Sequence, residues 1–241
     1  MRMSFRRRAF TLAIALGIIS MLAALGTRPA QARGLETKYP HMAPLEQYLM
    51  DRNAEIALAQ SAAPPSISSS ATVMVLGQQG YTTTVKGKNG FLCLVERSWG
   101  AATTDPEFWN PGVRGPICFN PAAARTFVPI YLMKTKLVLA GKSKPKIVQA
   151  LTTAFNKQEL LALEPGAMCY MLSKQQYLGD QARSWHPHLM FFVSGDAGKS
   201  WGGNLPGSPV IAANDPEERA TIFMVWVGHW SDGTPAPQAM H

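Results

Sequence analysis

From residue 33 onward the apolar positions change period three times, and each change marks a class of element. Residues 33–42 have no period and read as an extended lead. Pro44 opens a helix, at the position where a missing N–H costs nothing. Leu45, Tyr48, Leu49, Arg52 and Ile56 then recur three to four apart, so one stripe faces the core. Pro64 and Pro65 end that helix, and residues 66–70 read as a polar connector. The helix either docks on the body or extends as an arm to a partner.

Period two follows. Residues 72–76 are β-branched and apolar, 77–80 turn, and 81–86 alternate loosely. Asn89-Gly90 marks a second turn over 87–90, and 91–95 return as a buried strand, so the three strands read as an antiparallel meander. Residues 98–115 show no period and hold Trp99, Phe108 and Trp109. A long aromatic loop of this kind is either packed by its own rings or used for binding. Helical spacing resumes with Asn120 as cap and Pro121 at the first position, and runs to 141 with Pro129 as a kink or interruption. Ser143 and Pro145 start another helix, whose Ile147, Leu151 and Phe155 lie four apart.

Strands reappear at 167–172, 188–193, 210–213 and 221–227, with one helical turn at 215–217. Strands, then helices, then strands, without βαβ alternation, predict an α+β fold. Its mostly antiparallel sheet is covered on one face by the helices of 121–161, in a single domain. The expected organisation is a leader at 1–32, an N-terminal helix and connector at 33–66, a globular domain at 67–233, and a flexible tail at 234–241.

The leader reading rests on charge and composition. Arg2, Arg6, Arg7 and Arg8 precede an apolar run over 10–25, and Ala30, Gln31 and Ala32 supply a small-x-small exit. That is the pattern of a secretory signal peptide, and the run is too short for a comfortable membrane span. Arg7, Arg8, Phe10 and Leu12 also match part of a twin-arginine signal, so export is expected through Sec, with the twin-arginine route as the alternative. Processing would begin the mature protein at Arg33, in the periplasm or outside the cell.

Removing the leader changes the charge picture. The 241 residues carry a formal charge of +8. The five arginines up to residue 32 account for most of it, and +3 remains without a dense Lys/Arg run. A nucleic-acid partner needs a basic face that neutralises several phosphates, and none is visible. A hydrophobic fraction of 46% with 16% charged residues describes a folded globular chain. No later apolar stretch is long enough for a transmembrane helix, so a soluble body without stable membrane insertion is expected. Cys93, Cys118 and Cys169 are the three thiols. In an oxidising compartment Cys93 with Cys118 is the preferred disulfide, and three small buried hydrophobes are the alternative.

Chemistry concentrates in Trp185-His186-Pro187-His188. Two histidines two apart on a strand share a face, so both imidazoles are candidate ligands for zinc or another divalent metal. Asp196, His229, Asp232 and Glu96 are candidates for a further ligand, none placed by a known spacing. A cysteine nucleophile would need Cys118 or Cys169 beside one of those imidazoles. Glu96-Arg97 and the acids Glu217 and Glu218 are candidate acid–base pairs or plain surface charge. Trp99, Trp109, Trp185, Trp201 and Trp230 lie at loop or strand ends, where several on one rim would make a stacking platform and otherwise they close off the core; Trp99, Trp109 and Trp185 are the candidate ligand-binding residues.

The stretches 91–99 (FLCLVERSW), 116–122 (PICFNPA), 164–171 (EPGAMCYM) and 185–190 (WHPHLM) resemble an uncharacterised family of exported bacterial proteins. That resemblance implies neither an activity nor a cofactor. The favoured function is non-catalytic binding of a small molecule or a protein partner, and the alternative is a metal-dependent hydrolase using His186 and His188.

Overall fold

The computed structural model describes residues 38–237; the leader expected at 1–32 and the end of the tail at 238–241 lie outside the described residues. Eight strands form one sheet: β1 (Thr72–Gly77), β2 (Gly80–Val85), β3 (Leu92–Glu96), β4 (Gly115–Phe119), β5 (Met168–Met171), β6 (His188–Ser194), β7 (Val210–Asp215) and β8 (Ala220–Trp226). Their spatial order is β2-β1-β3-β4-β5-β6-β8-β7. Every neighbouring pair is antiparallel except β1 and β3, so the α+β expectation holds.

The meander does not form. β1 and β2 make an antiparallel hairpin that pairs Leu76 with Tyr81. β3 instead lies on the far side of β1 and runs parallel to it. The chain leaving β2 crosses the start of β1, where the Lys88 N–H donates to the Ser70 carbonyl at 2.8 Å and the Gly87 N–H to the Thr72 hydroxyl at 3.1 Å. A Cβ on residue 87 would lie 2.2 Å from the Thr72 nitrogen, so only glycine lets the two backbones pass. Asn89-Gly90 therefore turns a crossover, not a hairpin.

β4 is absent from the sequence expectation. Gly115 and Pro116 interrupt its pattern, and full burial on both sides removes the alternation that marks a half-exposed strand. The helical turn expected at 215–217 is the β7–β8 hairpin turn. There the Asp215 carboxylate accepts the N–H groups of Glu217 and Glu218.

Alternating side chains divide the sheet into two apolar faces. Leu76, Leu94, Ile117, Phe119 and Phe192 face α3 (Pro121–Thr126), α4 (Val128–Leu139) and α5 (Lys144–Asn156). Phe127 breaks the long helix expected at 121–141 into α3 and α4, with Pro129 inside the first turn of α4, where proline is tolerated. Val73, Val75, Cys93, Val95 and Cys118 face the other way, onto Leu58 and Ala59 of α1 (Arg52–Gln60). The N-terminal helix is thus docked, on the face opposite α3–α5.

That helix also starts later than its apolar stripe suggests. Leu45–Gln47 is a 3-10 turn, and α1 begins after Asp51, whose side chain accepts the N–H groups of Asn53 and Ala54. Pro65 opens the short α2 (Pro65–Ser68) in place of a polar connector. At the other end, residues 234–237 are pinned where a loose tail is expected. The Ala236 N–H donates to the Gly228 carbonyl at 2.9 Å, and His229 bridges to Pro235.

Cys93 and Cys118 stand opposite each other on β3 and β4 and are disulfide-bonded, 25 residues apart in sequence. Cys169 is one strand further on but faces the opposite apolar layer, where burial pushes its thiol well up. It stays protonated and is a poor nucleophile. Replacing both bonded cysteines by alanine is expected to cost about 3 kcal/mol, from the loop the link closes. Urea unfolding with and without reductant checks this: reductant should destabilise the natural chain by a similar amount and leave Cys93→Ala/Cys118→Ala unchanged.

Candidate functional site

The structure scatters the residues singled out by the sequence. Trp99 is fully buried, its indole N–H donating to the Thr135 hydroxyl at 2.9 Å and its ring 5.1 Å from that of Tyr48. Trp109 is 8% exposed, packs edge-on to Phe108 at 4.5 Å, and borders a cleft with Tyr39, His41 and Lys144. The loop at 98–115 is therefore packed inward, Trp99 against Tyr48 and Trp109 against Phe108. Trp185 belongs to another region, 4.7 Å from the His188 ring and 6.0 Å from Trp226. A stacking platform shared by Trp99, Trp109 and Trp185 does not form, because the core takes the first two.

His186 and His188 differ in burial: His186 is half-buried and His188 is buried. Strand β6 begins at His188, so the alternation that predicts a shared face does not reach His186. The His186 ring lies against Trp226 at 5.1 Å and lines an edge cleft with His229. His188 is 1% exposed, and burial lowers it to about 4, so its ring is neutral at pH 7. Its Nδ1 lies 2.8 Å from the His186 carbonyl oxygen. A carbonyl only accepts, so Nδ1 carries the proton and the lone pair sits on Nε2. Among the described residues, no group of three or more His, Cys, Asp or Glu side chains gathers as a metal site.

Two buried ion pairs were read from the sequence only as surface charge or not at all. Arg97, placed by the end of β3, meets Glu55 of α1 at 2.9 Å, and both side chains are fully buried. The guanidinium also donates to the carbonyls of Tyr48 and Val95, and the Glu55 carboxylate accepts the Leu76 N–H. Around them Tyr81 donates to the Val95 carbonyl, so Tyr131 must donate to Tyr81 while accepting the Arg97 N–H. The set ties α1, β1, β2, β3 and α4 together.

The second pair joins Lys134 of α4 to Glu218 of the β7–β8 turn at 2.9 Å, both buried. Glu96 stands near it, half-buried, in a small cleft of about 130 Å³ beside Ser98 and Gly100. A Cβ on residue 100 would lie 3.2 Å from the Glu96 carboxylate, so glycine makes room for it. Burial first, then the Glu218 charge, push Glu96 up to about 8, against the pull of Lys134.

A larger cleft, of about 750 Å³, opens between the end of α5, the loop after it, the end of β6 and the β7–β8 turn. Phe155, Leu160, Leu161 and Leu163 supply its apolar wall, and Leu161 is 59% exposed. Asp196, Glu218 and Arg219 bring charge to it.

Two of its residues, Gln158 and Arg219, have left-handed backbones at φ of 60° and 52°. Gln158 ends α5: the Glu159 N–H reaches back to the Ala154 carbonyl, closing a Schellman cap. Arg219 closes the hairpin turn, and its carbonyl accepts the Gly195 N–H at 2.8 Å. Each non-glycine residue in this conformation costs roughly 1–2 kcal/mol; Arg183 and Asn204, outside this cleft, share it. The sequence gives no sign of it, since nothing in Glu218-Arg219-Ala220 marks a position that favours glycine.

Comparison with protein-family models, with curated proteins and with solved structures finds no match to this chain.

Proposed function

We propose that this is an exported, non-catalytic binding protein that holds a small apolar ligand in the cleft between α5 and the β7–β8 turn. The observation that carries the proposal is an open cleft of about 750 Å³ walled by Phe155, Leu160, Leu161 and Leu163. Small-molecule sites commonly fall in this size range and combine apolar walls with a few polar groups. The exposure of Leu161 supports it, because an apolar side chain left in water gains from a ligand that covers it. Export is supported by the Cys93–Cys118 link, which persists in oxidising compartments.

The test is titration of the full chain with the neutral apolar dye Nile red. Saturable binding with a fluorescence gain is expected, and Leu161→Asp should weaken it about tenfold, since a buried leucine contact is worth some 1.5 kcal/mol. Absence of saturable binding, or affinity unmoved by Leu161→Asp, overturns the proposal.

A further inference from the structure

We infer that Arg219 selects, for the cleft described above, a single-chain amphiphile with an anionic head; this rests on the apolar-ligand reading and names its ligand class. The guanidinium stands at the cleft with its carbon 5.0 Å from the centre of the Phe155 ring, and one nitrogen donates to the Asn156 side-chain carbonyl. Stacking and that hydrogen bond hold the group in place, so little freedom is lost when a ligand meets it.

Among the described residues no carboxylate forms an ion pair with it. Arginine carries five N–H donors in a planar fork suited to a carboxylate or phosphate, and the amide of Asn156 engages one nitrogen. The apolar wall lies beside this cation, which matches a chain with an anion at one end.

The backbone supplies an independent argument. Position 219 has the left-handed conformation that glycine adopts freely, yet it carries a long cationic side chain. For the turn alone, glycine would do. Of the acids on the cleft, Glu218 is held by Lys134, whereas Asp196 is exposed and would favour a cationic head instead.

The experiment displaces bound Nile red from the full chain with dodecanoate, dodecanol and dodecylammonium, which share one tail. Dodecanoate is expected to bind about fivefold tighter than dodecanol, the scale of a partly exposed charge pair. Arg219→Gln and Arg219→Gly should erase that preference. Arg219→Gly should keep the natural melting temperature, because relief of the left-handed strain offsets the lost stacking.

Equal displacement by dodecanoate and dodecanol, unchanged in Arg219→Gln, overturns the inference while leaving the apolar cleft intact. Tightest binding of dodecylammonium overturns it in favour of Asp196. Dye binding that disappears as protein concentration rises overturns it too, since a second copy then covers the cleft. Failure of the dye itself to bind sinks the cleft reading, and the head-group inference with it.

Discussion

Arg97→Met is expected to lower stability by about 3–5 kcal/mol, because it strands the Glu55 carboxylate where water does not reach. In the natural chain that carboxylate has the guanidinium at 2.9 Å and the Leu76 N–H at 3.1 Å. The substitution removes the cation and also the donors to the Tyr48 and Val95 carbonyls. Attraction between the two charges is only part of the loss; the desolvated partner left behind is the larger part. Urea unfolding of Arg97→Met, Glu55→Leu and the double variant gives the decisive comparison. The double variant should recover at least half of the loss of Arg97→Met. Strict additivity of the two single effects would show that the pair is not coupled.

Lys134→Met should have a similar cost, and one that depends on pH. Lys134 lies between the Glu218 carboxylate and the Ala101 carbonyl, with no exposure, and its charge also restrains Glu96. Without it both acids are raised further. An acid raised above its unfolded value stays protonated in the folded chain after it has ionised in the unfolded one, so stability falls as pH rises across that interval. For Glu96 the interval already runs from 4.5 to about 8.

The deficit of Lys134→Met should therefore be small near pH 4.5 and grow to about 3–5 kcal/mol at pH 8. Adding Glu218→Gln should shrink it. Melting temperatures across that pH range test the sign, and a deficit that is constant or narrows with pH would contradict it.

Where period and chemistry are local, the sequence was readable. The β1–β2 hairpin, the caps at Asn120 and Pro121, and the Ile147–Leu151–Phe155 stripe needed only nearest neighbours along the chain. The expected Cys93–Cys118 link forms, because the register of β3 against β4 sets the two residues opposite each other. The parallel placement of β3 was not legible. It depends on Gly87 passing the backbone of Thr72, a contact between segments 15 residues apart. β4 was missed because burial on both faces erases alternation.

The candidate cleft shows the same division more sharply. Leu160, Leu161, Phe155 and Arg219 come from segments some 60 residues apart, and no spacing joins them. The tryptophans misled for a related reason. An aromatic in an aperiodic loop has the same local signature whether it faces solvent or, like Trp99, finds a hydroxyl such as Thr135 inside the core.

By itself, then, the chain determined its α+β class, the β1–β2 hairpin, the cap at Asn120 and the apolar stripe of α5. Tertiary structure alone decided which strands became neighbours, which charges were buried in pairs, and where an apolar wall met the Arg219 guanidinium. Periodicity and capping are governed by contacts within a turn or two, whereas burial and charge compensation are set by residues the fold brings together from far along the chain.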